Sequence, residues 1–296
     1  MKAIIPVAGH GTRLEPHTLS LQKCLFPVAG KPVLQHIIDK LINVDIVDIT
    51  LIIGHLGEQV RGFCEKFDNI NFSFVEQTER LGLGHAIQLG LEATNDPVLI
   101  VLGDSILELD YFKFISSNTS SLGVKKVPDP ERFGIVELSD DKIVSVIEKP
   151  AHPLSDLALI GIYFITSQND LNNGIKHLID NSIKTNDEYQ LTDAFSIMIN
   201  DKHEFSAFEI DDCLDCGVPE TVFSTNKKLL SRGNLNSIDS SAIIENSKLA
   251  YCSIAKDCVI IDSILHNVIM LPGGRVVNQK IENKIIGFNQ EIENPR

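Results

Sequence analysis

The chain has 296 residues and a formal net charge of −14, because 40 acidic side chains outnumber 26 basic ones. The hydrophobic content of 43% and the charged content of 22% are typical of globular proteins, which argues against a disordered chain, and the length allows one large domain or two smaller ones. The acidic balance argues against a general surface for nucleic acid or for anionic membranes.

Several features bear on the cellular compartment. No apolar run approaches the roughly 18–20 residues of a membrane span. No signal-peptide pattern follows Met1, and the six cysteines do not form a disulfide framework in a chain of this length. We therefore expect a protein of the reducing cytoplasm, with no membrane and no nucleic acid among its partners.

The first two thirds of the sequence alternate apolar runs of strand length with amphipathic stretches. The runs at 3–7, 49–53 and 98–102 are nearly continuous, as in strands that helices cover on both faces. Between them, apolar residues recur on one helical face, first at 37–42 and again at 83–91. This alternation predicts an α/β fold with a doubly wound, mostly parallel, Rossmann-like sheet, whose ligands bind beyond the carboxyl ends of the strands.

The pattern changes near residue 134. Segments 135–138, 143–148 and 157–165 indicate strands, two amphipathic helices follow between residues 171 and 198, and a last helix is predicted at 219–231. These elements indicate an elaboration of the same domain rather than a second one. We therefore predict one large domain over residues 1–232 and a short tail over residues 233–296.

The tail has a third pattern. Ile243, Leu249, Ile254, Ile260 and Leu265 follow one another at intervals of six, five, six and five residues, and small residues precede most of them by two places. This resembles an irregular hexapeptide repeat, which is typical of a left-handed parallel β-helix. The prediction is a β-helix of about two coils; the alternative is a few irregular strands that close the domain.

A glycine-rich loop follows the first predicted strand. Gly9 and Gly11 would let backbone N–H groups approach a phosphate chain, while Arg13 and Lys23 would add a guanidinium and an ammonium for phosphate oxygens. Leu14 stands where a dinucleotide-binding fingerprint has its third glycine, which argues against a nicotinamide-dependent oxidoreductase, and the Gly-Lys-Ser/Thr of a P-loop is absent. The combination suits a nucleoside triphosphate.

A family resemblance is carried by these same residues. The run Gly-x-Gly-Thr-Arg-Leu-x-Pro, with Lys23 seven residues beyond the proline and Phe-Pro-Val-Ala-Gly-Lys-Pro at 26–32, resembles the signature of the sugar-1-phosphate nucleotidylyltransferases, also called NDP-sugar pyrophosphorylases. The resemblance extends to about residue 230. Residues 129–137 are most similar to the glucose-1-phosphate thymidylyltransferases, whereas residues 5–9 and 82–86 resemble the bacterial UTP–glucose-1-phosphate uridylyltransferases.

The resemblance implies a role for each matching residue. Arg13 would stabilise the departing pyrophosphate, Lys23 the α-phosphate, and Asp104 would act with them as a catalytic residue. Nucleotide-binding positions would be Ala8, Gly9, Gly11, Thr12, Arg13, Gln77 and Gly82. Positions that bind the sugar phosphate would be Gly134, Glu148, Lys149 and Gly161. Metal ligands for Mg²⁺ would be Asp104 and Asp215.

Taken without the resemblance, several of these residues have simpler explanations. Asp104 after a strand could be a helix N-cap, Glu148 and Lys149 a surface charge pair, and Gln77 a solvated strand end. The chain also departs from the family pattern, since Cys216 follows Asp215 where the family has a threonine. Cys216 forms a Cys-x-x-Cys with Cys213, but no second cysteine pair or histidine set completes a zinc site.

The sequence therefore predicts an enzyme that transfers a nucleotidyl group from dTTP or UTP to glucose 1-phosphate, with Mg²⁺ and with release of pyrophosphate. A homo-oligomer is expected, since a short β-helical tail presents flat faces and an open edge. One alternative is the same reaction with UTP, GTP, CTP or ATP and another sugar. The other is a non-catalytic regulatory or scaffold homologue, which we would expect to lack the arginine, lysines or aspartates named above.

Overall fold

The computed structural model describes residues 1–293, and the chain folds into two compact units. The first unit consists of residues 1–9, 37–103 and 107–213. The second consists of residues 10–36 and 104–106, together with the chain from Leu214 onward. The second unit therefore combines the glycine-rich segment, the short stretch that contains Asp104, and the C-terminal region.

The helices of residues 1–293 are short. The longest has 13 residues, and none is long and apolar enough to cross a membrane. In chain order the α-helices are Val33–Ile42 (α1), Gly57–Cys64 (α2), Leu83–Gly90 (α3), Tyr111–Ile115 (α4), Gln168–Asp180 (α5), Leu191–Asn200 (α6) and Pro219–Leu230 (α7). Short 3₁₀ helices at Thr12–Leu14, His17–Leu19 and Lys23–Leu25 shape the glycine-rich segment.

Strands occur in both units. In chain order they are Lys2–Pro6 (β1), Pro27–Val28 (β2), Lys31–Pro32 (β3), Asp48–Ile53 (β4), Asn71–Glu76 (β5), Val98–Val101 (β6), Ser105–Glu108 (β7), Ser120–Lys126 (β8), Gly134–Ser139 (β9), Lys142–Glu148 (β10), Leu157–Ile165 (β11), Phe205–Glu209 (β12), Asp212–Asp215 (β13), Ser237–Ile238 (β14), Ile243–Glu245 (β15), Lys248–Ala250 (β16), Ser253–Ile254 (β17), Val259–Ile261 (β18), Ile264–Met270 (β19), Arg275–Val277 (β20), Lys280–Ile286 (β21) and Glu291–Glu293 (β22).

The first unit is built on a nine-stranded sheet in the order β5-β4-β1-β6-β11-β8-β12-β10-β9. Strands β5, β4, β1 and β6 are mutually parallel, as the alternating pattern predicts. Strand β11 is antiparallel to both β6 and β8, and β9 and β10 form an antiparallel hairpin, so the rest of the sheet is mixed. The α/β fold is thus present, and the parallel pairing that we predicted holds for β5, β4, β1 and β6 and again for β12 with β8. Strands β11 and β10 run in the opposite direction and make the sheet mixed.

The core of the first unit explains this arrangement. Ile4, Ile52 and Ile100 are fully buried on the parallel strands. They belong to one apolar cluster with Ile87 of α3 and Phe195 of α6. Burial of such side chains contributes about 1.5–3 kcal/mol each, so the cluster fixes these strands and helices within the first unit.

The C-terminal strands of the second unit stack in parallel with a constant offset. Ile243 pairs with Val259, Val259 with Arg275, and Arg275 with Glu291, and each step is 16 residues. Four strands stack in this sheet, which is more strands than a β-helix of about two coils would supply. The offset is shorter than three full hexapeptides and agrees with the mixture of five- and six-residue intervals in the sequence.

The corners between these strands repeat with the same period of 16 residues. Three columns of corner residues have φ between +45° and +76°: Asn246, Asp262 and Asn278; Tyr251, Asn267 and Asn283; Asp257, Gly273 and Asn289. Eight of these nine residues are asparagine, aspartate or glycine, which enter this left-handed region at the lowest cost, and Tyr251 is the exception. The coils are also joined by side chains, since Ser263 N donates to Ser247 Oγ and Gln279 N donates to Ser263 Oγ.

Candidate active site

The glycine-rich segment folds back on its own lysine. Gly11 has φ of +67°, and a Cβ there would lie 2.9 Å from the Cβ of Lys23. Thr18 Oγ1 donates to Gly11 O over 2.9 Å, which fixes the turn from within. Only glycine fits this combination of left-handed backbone and close approach, so the sequence motif requires it for a geometric reason.

Arg13 lies in the 3₁₀ turn Thr12–Leu14. Leu14, the next residue, is fully buried and anchors the turn. The Arg13 side chain is exposed, and it forms no ion pair with any of residues 1–293. A guanidinium held on a short, anchored turn without a carboxylate partner is available for a bidentate contact with phosphate oxygens.

Lys23 and Asp104 form an ion pair in the second unit. Lys23 Nζ donates to Asp104 Oδ2 over 2.8 Å, with the side chains 18% and 41% exposed. The structure therefore brings together two residues that the resemblance assigned to the α-phosphate and to the metal ion. Asp104 also accepts at its backbone oxygen, from Cys216 N over 2.9 Å, so the chain next to Asp215 is fixed beside it.

The donor set fits a magnesium ion. Asp215 Oδ1 accepts from Gly217 N, which leaves the second oxygen of this carboxylate available. Within residues 1–293, no three His, Cys, Asp or Glu side chains converge as a complete metal site. Mg²⁺ is usually held by one or two carboxylates, with phosphate oxygens and water completing the shell, so Asp104 and Asp215 are the residues that would hold it.

Cys216, which follows Asp215, is buried. Its side chain is 2% exposed, and burial, followed by the neighbouring charge of Asp215, raises the pKa of the thiol well above its ordinary value. Burial therefore disfavours the thiolate, which is the form that a redox-active cysteine needs.

In the first unit, Gln77 follows β5 and is held by two contacts. Its Nε2 lies 3.2 Å from Gly82 O and 3.3 Å from His85 Nδ1. Gly82 has φ of +112°, and a Cβ there would lie 2.7 Å from Tyr189 O, so the loop is closed against another segment. The amide nitrogen of Gln77 is thus occupied, and its oxygen remains to accept a hydrogen bond from a base edge.

Glu148, at the end of β10, is held by a residue that the sequence analysis did not single out. Thr192 Oγ1 donates to Glu148 Oε2 over 3.0 Å, and Lys149 Nζ lies 3.3 Å from Glu148 Oε1. A Cβ at Gly134 would lie 2.7 Å from the Thr192 methyl group, which explains the glycine. The Glu148 side chain is 10% exposed and that of Lys149 is 49% exposed, so the pair offers one oriented carboxylate and one accessible ammonium.

Asp193 lies next to this group. Its Oδ2 is buried and has no hydrogen-bond partner within residues 1–293. Burial raises the pKa of the Asp193 carboxyl above its usual range; a hydrogen bond with Thr185 opposes the rise and the charge of Glu148 adds to it. The carboxylates of Glu148 and Asp193 therefore have different environments, and the charge of Glu148 raises the pKa of Asp193 further.

Gly161 lies in the middle of β11, with φ of +71°. A Cβ there would lie 2.9 Å from Leu102 Cδ1, and Gly161 O accepts from Leu102 N. The register of β11 with β8 shifts between Leu159 and Tyr163, as expected for a bulge that re-aims a strand. The glycine thus allows the backbone to pass close to the segment that leads from β6 to Asp104.

Two further predicted residues lie at the start of the loop. Ala8 is 6% exposed, and a Cβ at Gly9 would have no atom within 4 Å, so the backbone is open there. The residues that the sequence did not reveal are Thr192, His85 and Asp193. His85 and Thr192 orient Gln77 and Glu148 across 8 and 44 residues of sequence, so no single local motif contains both Glu148 and Thr192.

The model of the nucleotidyl transferase family matches residues 2–232. Among curated proteins, the bifunctional protein GlmU of Methanocaldococcus jannaschii is 35% identical over 238 residues, which cover 79% of this chain and 55% of that protein. The glucose-1-phosphate thymidylyltransferase of Streptomyces griseus is 26% identical over an alignment of 337 residues, covering 99% of this chain and 93% of that protein. The chain spans about half the length of the GlmU proteins that it matches.

A solved structure gives the same result. The crystal structure of a glucose-1-phosphate thymidylyltransferase from Bacillus anthracis, in complex with a sucrose, has a TM-score of 0.67 and 27% identity. The matched region covers 77% of this chain and 94% of the chain in the solved structure. Together with the family match, this similarity confirms the resemblance that the sequence motifs indicated.

Proposed function

Because the chain belongs to the nucleotidyl transferase family, we propose that it transfers a nucleotidyl group from a nucleoside triphosphate to a sugar 1-phosphate. An oxygen of the sugar phosphate attacks the α-phosphorus in line, the bond to the bridging oxygen breaks, and pyrophosphate leaves. The attacking phosphate is already anionic, so no protein nucleophile is needed. Catalysis consists of positioning and of neutralising charge.

One observation carries this proposal. Lys23, the partner of Asp104, lies against Gly11, and Arg13 projects unpaired from the same short segment. One paired cation and one unpaired cation meet the needs of a reaction in which charge moves from the α-phosphate to the leaving group. Arg13 then binds the pyrophosphate as it departs, and Lys23 binds the α-phosphate.

The remaining residues bind the substrates. Glu148 accepts hydrogen bonds from sugar hydroxyls, and Lys149 binds the sugar phosphate. Asp104 and Asp215 would hold Mg²⁺, which supplies positive charge for the triphosphate oxygens. Backbone groups complete the set at Ala8, Gly9, Gly11, Thr12, Gly82, Gly134 and Gly161.

We propose a pyrimidine as the base, thymine or uracil, and glucose as the sugar. The Gln77 amide oxygen is a suitable acceptor for the N3–H of a pyrimidine. The name of the Streptomyces griseus relative, which aligns with nearly the whole chain, favours thymine and glucose. The chain also matches GlmU proteins, which do not carry glucose in their name, so other sugars are candidates too.

The tail, the oligomer and the location belong to the same proposal. We propose that the 16-residue coils wind as a left-handed β-helix, that residues 1–232 form the catalytic domain, and that the enzyme is a cytoplasmic homo-oligomer. Sedimentation of the full chain tests the oligomer. A single monomeric species over a wide concentration range would count against it.

A substrate matrix tests the reaction. Pyrophosphate release is measured with dTTP, UTP, GTP, CTP and ATP, each against glucose, galactose, mannose and N-acetylglucosamine 1-phosphates, with and without Mg²⁺. We expect release that requires both substrates and the metal ion, with the highest rate for a pyrimidine triphosphate and glucose 1-phosphate. Silence across the matrix from a folded protein would support the non-catalytic alternative.

A further inference from the structure

The second unit contains a buried amide that no step of the reaction uses. Asn226 of α7 is fully buried. Its Oδ1 accepts from Ala29 N over 2.9 Å and from Ser253 Oγ over 2.6 Å. Its Nδ2 donates to Tyr251 O over 2.9 Å. One side chain therefore joins the Phe-Pro-Val-Ala-Gly segment that follows Lys23 to two residues of the tail.

The neighbouring residue joins the same helix to the metal aspartate. Thr225 is 2% exposed, and its Oγ1 donates to Asp215 O over 2.8 Å. Adjacent positions of α7 thus hold, on one side, the backbone of Asp215 and, on the other, the backbone of Ala29. A movement of α7 must displace both.

Together with the Lys23–Asp104 ion pair, these hydrogen bonds form a closed chain of contacts among the residues proposed to bind phosphate and metal. Lys23 Nζ binds the Asp104 carboxylate, and Asp104 O accepts from Cys216 N. Thr225 donates a hydrogen bond to the backbone oxygen of Asp215, and the next residue, Asn226, accepts one from the backbone of Ala29. Ala29 lies six residues after Lys23. The cation for the α-phosphate and both metal aspartates therefore have positions that depend on one helix.

The tail holds that helix. Ser253 and Tyr251 both contact Asn226, and a Cβ added at Gly30 would overlap the Ser237 hydroxyl. Near the other end of the tail, a Cβ at Gly287 would lie 3.5 Å from His17 Nδ1, within the glycine-rich segment. Buried hydrogen bonds of this kind have few alternative partners, so they fix the groups that they join.

We propose that the tail supports catalysis through Asn226, a positioning residue that sets Lys23 and Asp215 for the reaction. This inference rests on the proposed function and extends it, because it assigns the tail a role in turnover as well as in assembly. A shift of well under an ångström at these groups lowers the rate, since misplacement by about 1 Å can cost roughly 100-fold.

Ser253→Ala tests the proposal, and Ser263→Ala is its matched control. Both serines lie in the tail and are 2% exposed, and each donates one hydrogen bond through its hydroxyl. Ser253 binds Asn226, whereas Ser263 binds within the coils. We expect Ser253→Ala to lower kcat at least about fivefold, while Ser263→Ala leaves kcat within about twofold of the parent.

Hydrogen exchange supplies a readout that does not depend on turnover. In Ser253→Ala, the amides of Ala29 and Cys216 should exchange faster than in the parent, and in Ser263→Ala they should not. Equal exchange in the two variants overturns the proposal, and so does faster exchange with unchanged kcat. If the parent shows no turnover with any substrate pair, the proposed function fails, and exchange at Ala29 and Cys216 still decides whether the tail holds these segments.

Discussion

Lys23 Nζ and Asp104 Oδ2 lie 2.8 Å apart, so an ammonium and a carboxylate neutralise each other where a triphosphate and a metal ion would bind. The pair is partly exposed, and a pair of this kind contributes about 1 kcal/mol or less to stability. Binding of Mg²⁺ to the carboxylate and of a phosphate oxygen to the ammonium would therefore replace a weak contact by two stronger ones.

Removal of the unpaired guanidinium should affect turnover most directly. We expect Arg13→Ala to lower kcat by at least about 100-fold, because one preorganised donor at developing charge contributes about that much. Arg61→Ala is the control, since Arg61 makes an exposed contact with Glu58 within α2. Steady-state pyrophosphate release is the measurement, and near-normal turnover by a folded Arg13→Ala protein contradicts the role.

Asp215→Asn should raise the Mg²⁺ concentration needed for half-maximal turnover by at least about tenfold, because it removes one of two metal carboxylates while keeping the side-chain shape. Asp68→Asn changes an exposed aspartate outside the site and should leave the titration unchanged. Identical Mg²⁺ titrations of the two variants would show that Asp215 is not a ligand.

Gln77→Leu should weaken base recognition without affecting the sugar. The KM for the preferred triphosphate should rise roughly 2- to 12-fold, as expected for the loss of one hydrogen bond. The KM for the sugar 1-phosphate should stay the same. Gln88→Leu removes an amide elsewhere in the first unit, bound to Asn172, and serves as the control. A rise in the KM for the sugar 1-phosphate alone would show that Gln77 contacts the sugar phosphate and not the base.

Asp193→Asn should stabilise the protein, and the gain should depend on pH. The pKa of Asp193 is raised in the folded state, so its favourable contribution is complete below the unfolded value and is lost as pH rises through the folded value. The neutral amide avoids this loss. We expect the difference in Tm between variant and parent to be smallest in acid and to grow towards pH 8. A constant difference across that range would contradict the raised pKa.

The sequence predicted those parts of the structure that local pattern determines. The buried strands at 3–7, 49–53 and 98–102 agree with β1, β4 and β6 to within a residue at each end. A strand that is apolar on both faces must be covered on both faces, so these runs predict a sheet between helices. Strand β8 was not predicted, because Ser120, Ser121 and Gly123 give it no apolar alternation, and it is stabilised by its neighbours β11 and β12 instead.

The site divides in the same way. One motif predicts Gly11, Arg13 and Lys23 as phosphate-binding residues, because a phosphate loop is local in sequence. The roles of Thr192 and Asn226 could not be predicted from the sequence, because each side chain binds a partner dozens or hundreds of residues away. A threonine on an amphipathic helix and an asparagine near a helix end have many ordinary roles, and only the fold shows which partner each one binds.

The most direct test of the central claim follows the label of an α-³²P triphosphate in the presence of a sugar 1-phosphate and Mg²⁺. The account predicts that the label appears in an NDP-sugar, with one unlabelled pyrophosphate released per molecule formed, and that neither product forms without the sugar 1-phosphate. Label that appears only in a nucleoside mono- or diphosphate, or that stays in the triphosphate for every sugar phosphate offered, would contradict it.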